Sequence, residues 1–496
     1  MMYSAQSESE YASVLVILVL LTAAFLYRTV THPLAAIPGP FLAKFTNARF
    51  LYHAWKGNLH LDHLHCHGRY GPVYRSGPNR VVFNTITAVH AIYTNDRTIR
   101  KSNGYQSHPW TRQKIPSLFN CVDPAWAARK KKTIRPATAQ PALEIHHASV
   151  ESNVELLANI VRDGKPHDLS QIAFYYALDV ISQSMFGEKF QTMQDPTYRW
   201  MTESLERGNR HMYLQLAWPS LFRFIGYFME AERLSYPQFH EESKRFLDLC
   251  EFCLAQAKSK EKRSIFALMK SELPDDVNDD ELHVDVYSLM RGGGDMVAVT
   301  IAAAFFYITQ NREILQKVQD EVRSVFTSKP PTMGPELESC AYLRACVDEA
   351  LRMAPPGPGV FWRTSSSDLI IDGVFLPAGI EFGTSIYAVH YNSEIFDEPE
   401  EFRPERMMSK AEKGLAQREG LIPFLRGFRA CPAQKMAHAT ILLSLARLLW
   451  EFQIDHATSG VDAREGEAKG ARKLFPQVDV FGSRIEGPVL SFRPRA

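Results

Sequence analysis

Apolar and polar positions follow three different patterns along the chain, and these patterns divide it into regions. An uncharged apolar run, YASVLVILVLLTAAFLY, covers residues 11–27. From about residue 85 to 350, apolar residues recur at helical spacing, as in YYALDVISQSMFGEKF and NREILQKVQDEVRSVF. Short alternating runs punctuated by Gly and Pro, which are typical of strands and turns, occur in GPVYRSGPNRVVFNT and SSSDLIIDGVFLPAGIEF. The pattern predicts one large, mainly α-helical domain with small β-sheets, preceded by an apolar helix.

The longest apolar helix pattern contains an unexpected cluster of residues. The stretch SLMRGGGDMVAVTIAAAFFYI, residues 288–308, places Gly292, Gly293 and Gly294 directly before Asp295. Three glycines cost a helix roughly 2–3 kcal/mol relative to alanine. A carboxylate in an apolar stripe costs more unless another group pairs with it. A functional requirement at this point would have to offset both costs.

The apolar run at 11–27 is at the short end of the lengths that span a bilayer as a helix. A cleaved signal peptide is the alternative, but the residues before the run include Glu8 and Glu10 and no Lys or Arg, whereas a signal peptide has a basic leader. The nearest positive charge, Arg28, follows the run, so the positive-inside tendency places the C-terminal bulk in the cytosol. We interpret the run as a single-pass membrane anchor.

The anchor is followed by HPLAAIPGPFLAKF, whose three prolines cannot continue a helix and favour a stiff spacer at the membrane surface. We therefore expect four segments: a lumenal N-terminus at 1–10, the transmembrane anchor at 11–27, a proline-rich hinge at 28–40 and one catalytic domain at 41–496.

Composition narrows the class of protein. The 496 residues are 45% hydrophobic and 22% charged, as in an ordinary globular protein with a sizeable core. The net charge of +1 does not indicate a nucleic-acid partner. Seven cysteines are too few for a disulfide-stapled secreted domain and are odd in number. Cys250 and Cys253 form a C-x-x-C in a helical pattern without a second pair at zinc spacing, so we expect a buried helix face there.

The segment PFLRGFRACPAQKMAHAT contains the first candidate for chemistry. Cys431 lies at the end of an irregular loop, directly before a predicted helix whose N-terminal amides favour an anion. Gly427 permits a tight turn, and Arg429 is two residues from the cysteine. A lone cysteine in this position is more often a small buried hydrophobic residue, so the segment alone does not establish a thiolate site.

Two further segments contain charged residues at suggestive spacings. Glu349 and Arg352 lie three residues apart on one predicted helix face and can pair, although most such pairs are solvated. Arg406 follows Pro404 and Glu405 in the irregular segment FDEPEEFRPERMM. Neither segment is specific by itself.

Together, and in this order, the three segments resemble the motifs of the cytochrome P450 family. The charge pair matches the family's E-x-x-R, and Arg406 matches its P-E-R segment. The loop matches the pattern F-x-x-G-x-R-x-C at Phe424, Gly427, Arg429 and Cys431. The anchor, the IPGP hinge and the strands of YGPVYRSGPNRVVF resemble microsomal, particularly fungal, members. The resemblance covers nearly the whole chain and implies the cytochrome P450 fold in a single large domain.

The resemblance implies a haem b cofactor whose iron takes Cys431 as its axial thiolate ligand. Phe424 would belong to the cofactor-binding loop, and Arg429 and Arg363 would bind the haem propionates. An exposed arginine is the alternative at position 363.

Glu349, Arg352 and Arg406 would form the family's buried charge triad, which stabilises the fold and takes no part in the chemistry. Removing one partner from such a triad leaves a buried charge uncompensated and costs about 3–5 kcal/mol.

Trp126 and the basic run 129–132 resemble the family's helix along the haem edge. The family usually has an arginine four residues after the tryptophan, where this chain has Lys130 as the candidate propionate ligand. A solvated helix face is the alternative for the whole run. The resemblance implies that this run is part of a basic surface that binds an acidic, flavin-bearing reductase. Arg426 and Lys435, close to Cys431 in sequence, would belong to the same surface.

The glycine cluster aligns with the family's A/G-G-x-D/E-T-T segment, which passes over the oxygen side of the haem. Gly292, Gly293 and Gly294 would give clearance, aided by a local distortion of the helix, and Asp295 would be the acid. The next two positions are usually Thr and Thr or Ser, but here they are Met296 and Val297. In the family the first Thr helps to deliver protons to iron-bound oxygen, whereas Met cannot donate a hydrogen bond. Thr300 is one helical turn further on and does not replace it directly.

The resemblance implies a haem-thiolate monooxygenase that oxidises a lipophilic small molecule, expected to be a secondary-metabolite intermediate. Dioxygen and electrons from NADPH–cytochrome P450 reductase would drive the reaction, in the endoplasmic reticulum membrane with a cytosolic catalytic domain. Met296 leaves two alternatives open. One is a haem-thiolate enzyme that rearranges, dehydrates or couples its substrate without a Thr relay. The other is a catalytically degenerate, membrane-anchored protein that binds haem or a ligand.

The substrate itself is not indicated by the sequence. Candidate pocket walls are the loop 105–122, the aromatic stretch 213–228, and Val360 and Phe361. Their apolar character suits a terpenoid, polyketide, fatty or indole-type molecule equally, and core packing is the alternative for each.

Overall fold

The computed structural model describes residues 2–95, 98–107, 115–229, 237–259, 263–409, 411–456 and 474–495. Within these ranges helices predominate and strands are short, which confirms the predicted fold class. The α-helices are α1 (Met2–Leu26), α2 (Ala48–Lys56), α3 (Leu59–Tyr70), α4 (Ile86–Tyr93), α5 (Pro124–Ile134), α6 (Gln140–Val161), α7 (Leu169–Phe186), α8 (Trp200–Ala217), α9 (Pro219–Met229), α10 (Pro237–Ser259), α11 (Ile265–Ser271), α12 (Asp279–Gln310), α13 (Arg312–Val325), α14 (Pro335–Ser339), α15 (Ala341–Met353), α16 (Ile386–His390), α17 (Glu405–Met408), α18 (Glu412–Gly420) and α19 (Gln434–Glu451). The strands are β1 (Val73–Gly77), β2 (Arg80–Phe83), β3 (Ile99–Lys101), β4 (Pro166–Asp168), β5 (Arg363–Ser365), β6 (Leu369–Ile371), β7 (Val374–Leu376), β8 (Glu381–Thr384), β9 (Phe452–His456), β10 (Gln477–Val480), β11 (Gly482–Ile485) and β12 (Val489–Pro494).

The helical N-terminus extends further than the sequence predicts. α1 continues directly into a π-helical turn at Tyr27–Thr31, so the chain stays helical over residues 28–31 of the expected hinge. The reason is that the first residue unable to continue a helix is Pro33. Residues Ala12–Thr31 are apolar enough to cross a membrane, with a mean hydropathy of 2.2 and no burial within the structure. α12 also passes this test of length and composition, but 78% of its most apolar window is buried and it is a core helix.

The end of the apolar helix contacts the catalytic domain. The ring of Phe25 stacks on that of Phe45 at a centroid distance of 5.6 Å. The buried guanidinium of Arg75, on β1, donates hydrogen bonds to the carbonyl oxygens of Arg28 and Leu34, both at 3.3 Å. These contacts hold the segment that leaves the apolar helix against the first β-hairpin.

Four small sheets accompany the helices in the described residues. The largest has the strand order β1-β2-β8-β5-β3, in which β2 and β8 are parallel and the other pairs are antiparallel. A second sheet has the order β4-β12-β9, and β6–β7 and β10–β11 are hairpins. In the large sheet Lys101 on β3 lies opposite Arg363 on β5. This pairing brings two positive charges together beside the candidate site.

α12 is the central helix of the core. It packs against α7, α15 and α19, and Ala302, Ala303 and Phe305 on it are fully buried. Asn278 caps its N-terminus, because the Asn278 Oδ1 atom accepts the amide of Glu281 at 2.9 Å. The helix is continuous from Asp279 to Gln310, all of which the structure describes, so the glycines do not break it. Packing against three neighbouring helices offsets the intrinsic cost of the glycines and keeps the segment α-helical.

Candidate active site

A cavity of about 310 Å³ lies between α12 and the loop that leads into α19. Most of the side chains that line it are apolar. The fold therefore brings together two segments that are well over one hundred residues apart in the chain. Their main contributions are Gly292, Gly293, Met296 and Val297 from α12, and Phe424, Arg429, Cys431 and Met436 from the opposite side.

The loop before α19 presents Cys431 to this cavity. The loop closes on itself through a hydrogen bond from the Cys431 amide to the Phe424 carbonyl oxygen at 2.9 Å. Gly427 has a φ of +70°, and a Cβ atom there would lie 2.1 Å from the carbonyl oxygen of Tyr93, so only glycine fits. The turn and the hydrogen bond fix where the thiol is placed.

The electrostatic surroundings of Cys431 differ from the sequence expectation. Burial raises the pKa of its thiol, and the amide of Ala433 lowers it only in part. The amides at the start of α19 are therefore not enough to make a thiolate by themselves. A bound metal ion deprotonates a coordinating thiol outright, so a metal would reverse the balance.

Three cations lie at one edge of the cavity. Lys101 and Arg429 line it, and Arg363 and Arg429 line an adjoining cavity of about 140 Å³. Burial and the two arginines hold the pKa of Lys101 well below its ordinary value, and burial also lowers the pKa values of Arg363 and Arg429. Among the described residues no carboxylate forms an ion pair with these three side chains. The cluster is therefore suited to bind an acidic group.

Lys101 is a site residue that the sequence analysis missed. It lies in the short strand IRK, which matches none of the motifs, and only the pairing of β3 with β5 brings it to Arg363. Its ammonium group donates to the carbonyl oxygen of Phe119 and lies 4.4 Å from the centroid of the Phe119 ring.

Glu349, Arg352 and Arg406 meet in a buried cluster away from the cavity. Arg352 binds Glu349 through two hydrogen bonds of 2.8 and 2.9 Å, and the Arg406 Nε atom donates to the Glu349 Oε1 atom at 2.9 Å. Arg352 also donates to the carbonyl oxygens of His390 and Pro399, at 2.9 and 2.7 Å. The cluster thus ties α15 to the irregular segment that precedes α17.

The three glycines of α12 have different surroundings. A Cβ atom on Gly293 would lie 2.9 Å from the side chain of Ile181, and one on Gly294 would lie 3.1 Å from that of Leu178. Both neighbours belong to α7, so these glycines allow the two helices to approach closely. A Cβ atom on Gly292 would meet nothing within 4 Å. Clearance over the cavity therefore comes from Gly292 and Gly293, and Gly294 does not line the cavity.

Asp295 and Met296 point in different directions. Asp295 is buried outside the cavity lining, and its Oδ2 atom accepts a hydrogen bond from Asn209 of α8 at 2.7 Å. Burial raises the pKa of Asp295, against the hydrogen bond from Asn209 and the charge of Arg291. Met296 lines the cavity instead. The carboxyl group is thus held at the α8 side, and a thioether that cannot donate a proton occupies the cavity wall.

The structure does not bring Trp126 and Lys130 to the cavity. Trp126 is 40% exposed, and the Lys130 ammonium is fully buried, 3.1 Å from a carboxylate oxygen of Asp285 on α12. Neither side chain is part of the cavity lining.

The rest of the basic run has its own contacts. Arg129 pairs with Asp276 and Glu281, and the Lys131 ammonium lies 3.9 Å from the centroid of the Phe428 ring. Lys132 is the exposed lysine of the run. A uniformly solvated basic face was therefore a wrong alternative, because protein groups satisfy most of these charges.

Of the predicted pocket walls, the loop 105–122 and Phe361 reach the cavity. Leu118 and Phe119 line it together with Phe361. Val360 lies in the core next to the cavity, as do the buried side chains of 213–217. Residues 108–114, and the side chains from 226 onward in the aromatic stretch, lie outside the described residues.

The predicted helix face with two cysteines is packed in the core. Cys250 is fully buried and Cys253 is partly buried. Across the described residues, no group of three or more His, Cys, Asp or Glu side chains is arranged to hold a metal ion.

Comparison with known proteins adds independent information. A sequence profile described as Cytochrome P450 matches residues 37–472. The cytochrome P450 monooxygenase poxM of Penicillium oxalicum is 30% identical over 94% of this chain and 91% of its own length. The cytochrome P450 monooxygenases AKT7 of Alternaria alternata and apf7 of Gibberella fujikuroi are 30% and 29% identical, over 90% and 95% of this chain and 89% and 95% of their own lengths. The similarity therefore extends over nearly the full length of these fungal proteins.

We predict that Glu349→Gln strongly destabilises the fold, because it leaves two buried guanidinium groups without an anion. The expected loss in the free energy of unfolding is about 3–5 kcal/mol, measured by urea unfolding followed by circular dichroism. Glu338→Gln, at an exposed position on α14, is the matched control and should change it by less than about 0.5 kcal/mol. Equal, small effects of the two substitutions would contradict a stabilising role for the cluster.

Proposed function

The chain belongs to the cytochrome P450 family and is a monooxygenase, and we propose that it binds haem b through Cys431 and oxidises a lipophilic small molecule. The observation that carries the proposal is the combination at one cavity of a cysteine thiol, apolar walls and a cluster of cations without an acidic partner among the described residues. The family implies a haem-thiolate cofactor, and this combination fits one.

The residues present match the chemical groups of haem b. Cys431 would supply the axial thiolate, and Lys101, Arg363 and Arg429 would bind the two propionates. Phe424 and the apolar residues near the start of α19 would pack against the porphyrin. Haem bound in this way supplies an iron centre that activates dioxygen with electrons from a reductase. The charge triad stabilises the segment behind this site and does not touch it.

The chain's own residues shape the oxygen side of the cavity. Gly292 and Gly293 leave space beside α12. Met296, Phe119 and Phe361 provide apolar surface that excludes water and orients a lipophilic substrate. These residues hold the substrate by shape and burial, which agrees with a molecule that has few charged groups.

Proton supply differs from the usual arrangement in the family. Met296 has no proton to donate, and the Thr300 hydroxyl donates to the Met296 carbonyl oxygen at 3.0 Å, within its own helix. Asp295 can contribute only through water or after its hydrogen bond with Asn209 rearranges. We therefore propose that protons come from water, from Asp295 by one of those routes, or from a hydroxyl group of the substrate.

The proposal extends to partners and location. The apolar helix at the N-terminus would anchor the protein in the endoplasmic reticulum membrane, with residues 1–10 lumenal and the domain from residue 41 cytosolic. NADPH–cytochrome P450 reductase would approach the side of the Cys431 loop, where Lys132 and Lys435 are exposed. The similarity to fungal monooxygenases supports an intermediate of secondary metabolism as the substrate, of a terpenoid, polyketide, fatty or indole type.

The function is tested by turnover under labelled oxygen. Full-length protein, reductase and NADPH are incubated with lipophilic compounds of these four types under ¹⁸O₂, and products are analysed by mass spectrometry. We expect a product that carries one ¹⁸O atom and that requires the reductase. A product formed equally without reductase would favour the rearrangement alternative. Specific binding of a compound with no product from any of them would favour a non-enzymatic binding protein.

We predict that Met296→Thr retains haem but changes the coupling of NADPH use to product formation, because it restores a hydroxyl donor at the cavity wall. Haem content and the ratio of hydrogen peroxide to NADPH consumed are the measurements. Met296→Leu keeps an apolar side chain of similar size and should behave as the parent protein. An unchanged peroxide ratio and product yield in Met296→Thr would show that this position does not control proton supply.

A further inference from the structure

The cavity wall formed by Leu118 and Phe119 belongs to neither a helix nor a strand. It lies in the segment 115–123, which connects two parts of the chain as irregular backbone and turns. Its position therefore depends on how its peptide groups are bound. The carbonyl groups of this segment and the amide of Leu118 are bound by different sets of residues.

The carbonyl groups of this segment are bound by two residues of the cation cluster. Arg429 donates to the carbonyl oxygens of Leu118, at 3.3 Å, and of Cys121. Lys101 donates to the carbonyl oxygen of Phe119. Acidic groups of a bound cofactor would compete for these same donors, so these contacts depend on what the cavity holds.

The amides of Ser117 and Cys121 are bound within the segment, whereas the amide of Leu118 is bound from the side of α12. The Leu118 N–H group donates to the Asp285 Oδ1 atom on α12 at 3.1 Å. The Asp285 Oδ2 atom forms an ion pair with the Lys130 ammonium of α5 at 3.1 Å, and this ammonium donates a hydrogen bond to the Glu281 carbonyl oxygen at 3.1 Å. Lys130 and Asp285 are both fully buried, and neither lines the cavity.

We propose that Lys130 is a positioning residue that acts through Asp285 to hold the Leu118–Phe119 wall against the cavity. The three groups, the Lys130 ammonium, the Asp285 carboxylate and the Leu118 amide, form what we call the wall latch. This proposal rests on the proposed function in one respect, which is that the cavity is taken as the site of the cofactor and the substrate. Because the donors of the latch do not face the cavity, it keeps the wall in place whether or not acidic groups occupy the cation cluster.

Burial supports this assignment. A buried ion pair is retained only where geometry and additional hydrogen bonds compensate the desolvation of both charges. Here the carboxylate receives a backbone amide in addition to the ammonium, and the ammonium reaches a backbone carbonyl group. Both contacts of the Lys130 ammonium are therefore with α12, and a contact with a propionate would require it to leave them.

Hydrogen–deuterium exchange of the full-length chain, with and without haem, tests the latch. Lys130→Met/Asp285→Leu replaces the ion pair by apolar side chains, a change that such pairs often tolerate without loss of stability. We expect the Leu118 amide to exchange about tenfold faster or more in this variant, since the buried amide loses the carboxyl oxygen that accepts its hydrogen bond. Asp285→Asn keeps an acceptor oxygen and should retain most of the protection. Lys132→Met, at the exposed lysine of the same helix, should leave the exchange unchanged.

A second readout separates the latch from a cofactor contact. In haem-loaded protein, the double variant should bind the larger iron ligand 4-phenylimidazole about tenfold more weakly. It should bind the smaller ligand imidazole as the parent does, and haem retention should be unchanged. Faster haem loss in Lys130→Met with unchanged exchange at Leu118 would overturn the proposal and indicate a propionate contact. Failure of the protein to bind haem would refute the proposed function, while the exchange experiment on the cofactor-free chain would still decide the latch.

Discussion

Uncompensated positive charge at one edge of the cavity is the constraint on which the rest of the site depends. Lys101, Arg363 and Arg429 lie close enough for burial and the two arginines to lower the pKa of Lys101, and within the described part of the chain they face carbonyl groups, aromatic rings and the Cys121 thiol. At two other buried places the charges are paired. Glu349 neutralises the charge of two arginines, and Asp285 faces Lys130. The cation cluster, in contrast, leaves room for an anion from outside the chain, and the Cys431 thiol faces the same cavity.

A second constraint is the course of α12 over this cavity. Its glycines serve two purposes, since Gly293 and Gly294 admit α7 while Gly292 and Gly293 leave space at the cavity. Asp295 is bound to Asn209 and Met296 faces the cavity, so a protein proton donor is missing from the wall at the position where the family has one. This separates the proposed binding of the cofactor, for which the cavity offers Cys431 and the cation cluster, from the delivery of protons, for which position 296 offers no donor.

The sequence predicted the features that depend on local spacing. The Glu349–Arg352 pair is set by helical periodicity, the Cys431 loop by a glycine turn before a helix, and the apolar run by its composition. It could not reveal Lys101, which reaches the site only because β3 pairs with β5. The sequence also could not predict which group the Lys130 side chain contacts, since its partner Asp285 lies on a helix more than one hundred residues away in the chain. Adjacent residues of a helix face different sides, and only the packing of α12 decides that Met296 and not Asp295 meets the cavity. The end of the N-terminal helix was also misplaced from the sequence, because the chain continues into a π-helical turn at Tyr27–Thr31.

The most direct test of the central claim is the carbon monoxide difference spectrum of the reduced, haem-loaded protein. The wild type is predicted to show the signature of thiolate-ligated haem, and Cys431→Ala is predicted to lose it. Cys253→Ala, on the partly buried face of α10, is predicted to retain it. Persistence of the signature in Cys431→Ala, or its absence from the wild type, would contradict the assignment of Cys431 as the ligand on which the site is built.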